Sequence, residues 1–122
     1  AQDAPEGLRL LRTAQRAGRP YAYALMDMQM PGMDGLALAR IIKDDPELAR
    51  VHLILLSSMM VNDLSTRAHD IGIAACMTKP VRHHHLRSAL LKLATGQDLS
   101  GASQPAKPTT RLSGRILVAE DN

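Results

Sequence analysis

The segment YAYALMDMQMPGMDG, residues 21–35, decides the fold of this chain. Its first part, residues 21–26, is an unbroken apolar run, which is typical of a strand buried on both faces of a parallel sheet. A single carboxylate, Asp27, ends the run, and a Pro-Gly turn and a helix start follow. An unpaired carboxylate is costly to bury inside a sheet, but the carboxyl ends of strands are where open α/β sheets bind their ligands. Asp27 is therefore either a simple turn residue or a functional carboxylate at a sheet edge, and the local spacing favours neither.

Strand and helix patterns alternate along the rest of the chain. Apolar residues at helical spacing predict helices over residues 3–17, 34–44 and 82–94. Asn62 as an N-cap and Gly72 as a stop predict a further helix over residues 62–72. Apolar runs predict further strands over residues 51–56, 73–78 and 116–119. The last of these follows a Gly-, Ser-, Pro- and Thr-rich linker, residues 95–114. This alternation predicts an α/β fold in which helices cover a parallel sheet.

Composition argues against several classes of function. The chain has 122 residues, about one domain, with no Phe or Trp and only two Tyr. The net charge is +3, but Lys and Arg are scattered, so nucleic-acid binding is not predicted. No apolar run is long enough to be a membrane segment, although a parent chain could be anchored in a membrane. The single cysteine, Cys76, excludes an internal disulfide framework and predicts a reducing, cytoplasmic location, as in a bacterial cytoplasm.

Three successive predicted strands end in a carboxylate, a hydroxyl and an ammonium group: Asp27, Ser57 and Lys79. Each could be a plain surface or turn residue, but adjacent parallel strands bring their carboxyl ends to the same sheet edge. That combination suits phosphoryl transfer to a carboxylate. Asp27 would be the nucleophile, Lys79 would offset phosphoryl charge, and Ser57 would donate a hydrogen bond. A divalent cation with oxygen ligands, Mg²⁺, is expected at such a site.

At these residues the sequence resembles the receiver domain of two-component response regulators, in the form found in hybrid sensor histidine kinases. The resemblance covers residues 3–94 and is carried by LMDMQMPGMDG, LILLSS and MTKPV, residues 25–35, 53–58 and 77–81. It implies a three-layer αβα, flavodoxin-like fold with a parallel sheet of order 2-1-3-4-5. It also implies that an Asp accepts phosphate, with Mg²⁺, from a histidine kinase or phosphotransfer domain.

The resemblance also assigns roles residue by residue. Asp27 corresponds to the phosphoacceptor and a magnesium ligand, Ser57 to the switch hydroxyl, and Lys79 to the lysine of the family's site. The backbone carbonyl of Gln29 corresponds to another magnesium ligand. The Lys79–Pro80 bond corresponds to one that is cis in the family, which X-Pro bonds allow at modest cost.

The order of segments departs from the family. A first strand ending in an acidic pair, a first helix and a second strand do not precede residue 1, whereas ILVAEDN, residues 116–122, resembles such a strand. The sequence therefore predicts a receiver over residues 1–94, a flexible linker over 95–114, and the first strand of a following receiver over 115–122. We also consider that residues 116–119 enter the sheet beside residues 21–26, in cis or, by strand exchange, in a dimer. The carboxylates of Glu120 and Asp121 would then complete the metal site.

Two interpretations of Cys76 remain open. Cys76 stands where the family has an aromatic side chain that moves with the switch hydroxyl, so this small thiol weakens the case for the usual coupling. It is either a small buried apolar residue or a residue with a redox role. Two other classes of protein also remain open. A degenerate receiver would act as a phosphorylation-independent interaction or dimerisation module. An aspartyl-phosphate phosphatase would need a second carboxylate two residues after Asp27, where Gln29 stands. As an isolated domain the chain is expected to undergo only self-phosphorylation and self-dephosphorylation, with a hybrid kinase as its parent.

Overall fold

The computed structural model describes residues 2–59, 62–96 and 114–119. Helices and strands alternate along the described part of the chain, as the sequence predicts. β1 begins at Tyr23 and β3 at Ala75, each two residues later than predicted. In chain order the elements are α1 (Ala4–Arg16), β1 (Tyr23–Asp27), α2 (Gly35–Asp44), β2 (His52–Ser57), α3 (Asn62–Ile71), β3 (Ala75–Thr78), α4 (His83–Thr95) and β4 (Ile116–Ala119).

The strands form one four-stranded parallel sheet in the order β3-β2-β1-β4. The predicted parallel α/β sheet is therefore confirmed. Strand β4 lies beside β1 of its own chain, with Met26 opposite Ala119, which is the cis arrangement considered above. The division into receiver, linker and following receiver stays a prediction, because residues 97–113 and 120–122 lie outside the described residues.

Helices cover both faces of the sheet, because successive side chains of a buried strand point to opposite sides. On one face, α1, α2 and α3 pack against the even-numbered residues of β1, and on the other α4 packs against Tyr23 and Leu25. This arrangement confirms the three-layer αβα architecture. The apolar side chains that the first three helices contribute include Leu11, Leu38, Ile42, Leu64 and Ala68, and the fourth contributes Leu90.

Aspartate side chains cap the N-termini of the first two helices. The Glu6 amide donates to Asp3 Oδ1 at 2.8 Å before α1, and the Ala37 amide donates to Asp34 Oδ1 at 2.7 Å before α2. Each bond satisfies an amide that the helix itself leaves unpaired, a contribution of about 1 kcal/mol. The cap at Asp34 holds α2 directly after the Asp27 turn. None of the described helices has the length and hydropathy that crossing a bilayer would require.

Candidate functional site

Asp27 is the last residue of β1 and is buried, with only 6% of its surface exposed. Its Oδ2 atom lies 2.5 Å from the Nζ atom of Lys79, which follows β3. A charged group in so enclosed a position needs a partner of opposite charge, and the lysine supplies it. The Lys79 side chain keeps 30% of its surface exposed, so the pair lies at the rim of the sheet, open to solvent on one side.

The second carboxylate oxygen of Asp27 is held by the turn that follows β1. The Gln29 amide donates to Asp27 Oδ1 at 3.1 Å, a local bond that aspartate commonly makes two residues along the chain. Asp27 is thus both a turn residue and the partner of a distant cation. Each carboxylate oxygen has more than one lone pair, so these two bonds leave acceptor capacity on the group.

Backbone hydrogen bonds join the strand ends that carry the predicted site residues. The Met28 amide donates to the Leu56 carbonyl at 2.7 Å, which joins β1 to β2 just beyond Asp27. The Lys79 amide donates to the Ser57 carbonyl at 2.8 Å, which joins β2 to β3. Asp27, Ser57 and Lys79 therefore lie at one edge of one sheet, and the side chains of Asp27 and Lys79 are in contact.

The Ser57 hydroxyl is engaged by the loop after β2. It donates to the Met59 carbonyl at 2.8 Å and accepts from the Met59 amide at 3.2 Å. Ser57 is buried, with 7% of its surface exposed. In this conformation the hydroxyl donates to the loop backbone, so donation to a group on Asp27 would require this bond to break.

Gly35 was not identified as a site residue from the sequence. It begins α2, and its amide donates to the Met28 carbonyl at 3.0 Å. A Cβ atom at this position would lie 2.6 Å from the Asp27 carbonyl oxygen and 2.6 Å from Leu55 Cδ1. Such distances are too short for any other residue, so the glycine allows α2 to lie directly against the Asp27 peptide. The sequence signals were its place at the end of the motif over residues 25–35 and at the start of a predicted helix.

The remaining predicted residues of this edge surround Lys79. The peptide bond between Lys79 and Pro80 is cis, as the family resemblance implied. A cavity beside β3 is lined by residues 76–82 and His85. The Cys76 thiol at this cavity is half-buried, and its burial raises its pKa above the ordinary value. It also packs against the larger core cluster, so its environment is that of a small apolar residue rather than of a reactive thiolate.

The donor groups near Asp27 are of the type that Mg²⁺ prefers. The Asp27 carboxylate and the Gln29 carbonyl are hard oxygen donors. Within residues 2–59, 62–96 and 114–119, no three His, Cys, Asp or Glu side chains come together to hold a metal ion. Glu120 and Asp121 lie outside the described residues, but they follow Ala119, whose register partner is Met26. The donor set fits Mg²⁺ if those two carboxylates contribute.

Comparison with known proteins agrees with this geometry. A family model described as the response regulator receiver domain matches residues 1–91. The chain is 26% identical over 112 residues to the response regulator PleD of Caulobacter vibrioides, spanning 80% of this chain and 25% of PleD. It is 26% identical over 103 residues to the signal transduction histidine-protein kinase BarA of Escherichia coli, spanning 84% of this chain and 10% of BarA. The chain thus spans a quarter or less of the length of these two curated relatives.

The fold also matches solved structures. The signal receiver domain of a signal transduction histidine kinase from Syntrophus aciditrophicus superposes with a TM-score of 0.64 at 28% sequence identity. The match covers 87% of this chain and 76% of that one. The flavodoxin-like receiver architecture expected from the sequence is therefore confirmed.

Proposed function

The chain belongs to the response regulator receiver domain family, and on that premise we propose that it accepts a phosphoryl group from a phosphohistidine onto Asp27 in a phosphorelay. The observation that carries the proposal is the contact between Lys79 Nζ and Asp27 Oδ2 at the carboxyl edge of the sheet. It places a cation beside the one buried carboxylate of the described residues.

In the proposed reaction, a carboxylate oxygen of Asp27 attacks the phosphorus atom of the donor. A P–O bond forms as the P–N bond to the donor imidazole breaks, and the bonding electron pair leaves with the imidazole nitrogen, which takes up a proton. The product is an aspartyl phosphate, a mixed anhydride. The Gln29 amide keeps the carboxylate oriented by its bond to Oδ1, so the nucleophile is positioned before the donor arrives.

Lys79 and Ser57 act on the transferred group in this proposal. The Lys79 ammonium, already adjacent to the carboxylate, offsets the negative charge of the phosphoryl oxygens. The Ser57 hydroxyl exchanges its bond to the Met59 carbonyl for one to a phosphoryl oxygen. That exchange would release the loop after β2 and give the domain a conformational response to phosphorylation.

Magnesium would be held by the Asp27 carboxylate, the Gln29 carbonyl and the carboxylates of Glu120 and Asp121. When bound, it would neutralise charge as a phosphoryl group approaches a site that already contains a carboxylate. The two tail carboxylates follow a strand paired with β1, which supports their inclusion.

We further propose that the partner is a histidine kinase or a phosphotransfer domain and that the parent chain is a hybrid sensor histidine kinase. Support comes from the similarity to BarA, which is named as a histidine-protein kinase and is ten times as long as the matched region. The face formed by α3, β3 and α4 would report the phosphorylated state, because β3 carries both Cys76 and the strand end next to Lys79.

Treatment of the full chain with acetyl phosphate and Mg²⁺, followed by intact-mass measurement, tests the proposal. We expect one added phosphoryl group on the native chain, and none on Asp27→Asn. The matched control is Asp44→Asn, an exposed aspartate at the end of α2, which should be modified like the native chain. A folded native chain that gains no phosphate would favour the phosphorylation-independent interaction module instead.

A further inference from the structure

Strand β4 has no polar residue that would set its register against β1. Its sequence is ILVA. Leu117 and Ala119 are buried, whereas Ile116 and Val118 are each 44% exposed. A slip of one residue would exchange these two pairs, and both pairs are apolar. The hydrophobic pattern of the strand therefore discriminates poorly between the observed register and its neighbours.

Arg115, the residue before β4, adds polar contacts to the apolar pairing of the strand. Its guanidinium carbon lies 4.5 Å from the centroid of the Tyr21 ring, and its Nη1 donates to the Arg19 carbonyl at 2.5 Å. Its own carbonyl accepts from the Ala22 amide at 2.8 Å and from the Tyr23 amide at 3.2 Å. Three of these partners precede β1 and the fourth, Tyr23, is its first residue, so Arg115 contacts the start of β1 through both side chain and backbone.

Gly114 limits movement in the same place. It has φ +150°, and a Cβ atom there would lie 3.0 Å from Ala22 Cβ and 3.3 Å from Tyr23 Cε2. If the tail slipped by one residue so that Arg115 took the position of Gly114, its Cβ would enter this crowded space. A slip in the other direction would separate the guanidinium from the Tyr21 ring and the Arg19 carbonyl.

We propose that Gly114 and Arg115 form a register lock for β4, in which Arg115 binds the Tyr21 ring and the Arg19 carbonyl. The lock keeps Ala119 opposite Met26, the residue before Asp27. Its consequence for a metal rests on the proposed function, in which Glu120 and Asp121 contribute to a magnesium site. A slip of one residue moves the strand by about 3.3 Å, which Mg²⁺ with its near-ideal octahedral geometry does not tolerate. Arg115 is therefore a positioning residue, acting through the strand and touching neither metal nor phosphate.

Two readouts on the full chain test the lock. Interstrand NOEs between β1 and β4 report the register by NMR, and calorimetric titration with MgCl₂ reports the metal affinity. For Arg115→Ala we expect a second set of β1–β4 NOEs displaced by one residue, with the β1–β2 NOEs unchanged. The apparent affinity for Mg²⁺ should fall by about three- to tenfold, in proportion to the fraction of chains in the correct register.

Variants of the ring separate a register effect from a general loss of stability. Tyr21→Leu removes the aromatic face and should reproduce the Arg115→Ala result, whereas Tyr21→Phe keeps the face and should behave as the native chain. Arg115→Lys keeps a cation over the ring and should restore most of the native register. Arg87→Ala, an exposed arginine on α4, controls for the loss of one positive charge. If Arg115→Ala does not fold, Tyr21→Leu carries the same two readouts, with Tyr21→Phe as its control.

The two proposals fail in different ways. Native-register NOEs alone in both Arg115→Ala and Tyr21→Leu would overturn the lock, whatever the native chain does with Mg²⁺. A native chain that shows the β1–β4 NOEs but binds no Mg²⁺ would instead refute the metal site of the proposed function. Displaced NOEs in the variants would still support the lock in that case.

Discussion

The Nζ atom of Lys79 lies 2.5 Å from Oδ2 of Asp27, although the two residues are 52 positions apart in the chain. The contact spans the width of β2, because Asp27 ends β1 and Lys79 follows β3. Two loops that leave the sheet at the same edge are thus held together by opposite charges. The stability of this edge and its proposed chemistry depend on the same pair.

Removal of one member of the pair should cost more than removal of both. We expect Lys79→Met to lower the free energy of unfolding by about 2 kcal/mol, because a buried carboxylate loses its partner. The cost stays below that of a fully buried pair because Lys79 is 30% exposed at its side chain. Asp27→Asn in the Lys79→Met background should recover about half of the loss. Urea denaturation of the four chains of this double-mutant cycle measures the coupling.

The exposed ion pair between Arg12 and Asp45 provides the matched control. Its atoms lie 3.1 Å apart, but the arginine side chain is 47% exposed. We expect a coupling of about 0.5 kcal/mol or less for this pair, since solvent screens it. Equal couplings for the two pairs would contradict the view that burial makes the Asp27–Lys79 contact important.

Gly35→Ala should destabilise the chain and disturb the Asp27 turn. The added methyl group meets the Asp27 carbonyl and the Leu55 side chain at 2.6 Å each, so we expect a loss of about 2 kcal/mol in the free energy of unfolding. Leu55→Val removes the side-chain half of the clash and leaves the backbone half. The loss of stability in the Gly35→Ala/Leu55→Val double variant should therefore be only slightly smaller than the sum of the losses in the two single variants. A double variant as stable as Leu55→Val alone would show that the backbone contact is unimportant.

Removal of the tail strand should expose the outer edge of β1. Deletion of residues 114–122 removes the buried side chains of Leu117 and Ala119 and the pairing with β1. We expect a loss of about 3 kcal/mol or more, together with lower solubility, because an apolar edge strand pairs readily with other chains. Thermal melting and light scattering measure the two effects. Deletion of residues 120–122 alone should preserve melting and abolish only the proposed Mg²⁺ binding, and unchanged behaviour of the longer deletion would count against the role of β4.

Alkylation of Cys76 should be slow in the folded chain. Burial raises the pKa of this thiol, so less thiolate is present at neutral pH than in an unfolded chain. The half-buried neutral thiol contributes stability that is fully present below the ordinary thiol pKa and is lost as pH rises from there through the folded-state pKa. Urea midpoints should therefore decline above about pH 8.5 in the native chain and less so in Cys76→Ala. Iodoacetamide labelling that is as fast before unfolding as after it would contradict the buried environment.

His52 should titrate below the usual range of histidine. Although the residue is exposed, its pKa is lowered first by partial desolvation of the ring and second by the charge of Lys43. The Lys43 Nζ donates to the Ala49 and Val51 carbonyls at 2.9 Å each. The stability that comes from neutral His52 is present above the ordinary histidine pKa and is lost as pH falls through the lowered value. NMR titration should show the pKa of His52 rising towards its ordinary value in Lys43→Met, because one of the two causes is removed.

Arg40→Ala is the control for that experiment, because this exposed cation lies on the same helix, one turn before Lys43. It should leave the titration of His52 unchanged. Lys43→Met should in addition lower the free energy of unfolding by about 1–2 kcal/mol, since two carbonyls in the segment before β2 lose their donor. A His52 titration that is identical in all three chains would contradict the assigned charge effect.

Local patterns were sufficient to predict much of the fold. An apolar run closed by an acidic residue and a turn predicts where β1 ends, and Asp34 predicts where α2 begins. The predicted start of β1 is two residues early. Tyr21 and Ala22 continue the apolar pattern of the strand, but they lie before its first residue and contact Arg115. Gly35, Lys43 and Arg115 were not predicted as contact residues, since each meets atoms that no periodicity in its own segment reveals.

The sequence by itself determined the order of helices and strands, the parallel sheet, and the residue types that end each strand. It could do so because hydrophobic periodicity, caps and turns act over a few residues. Only the tertiary structure decided that Lys79 reaches Asp27, that α2 lies against the Asp27 peptide, and that the tail strand pairs with β1 of its own chain. Those contacts join segments far apart in the chain, so they arise from the packing of whole elements.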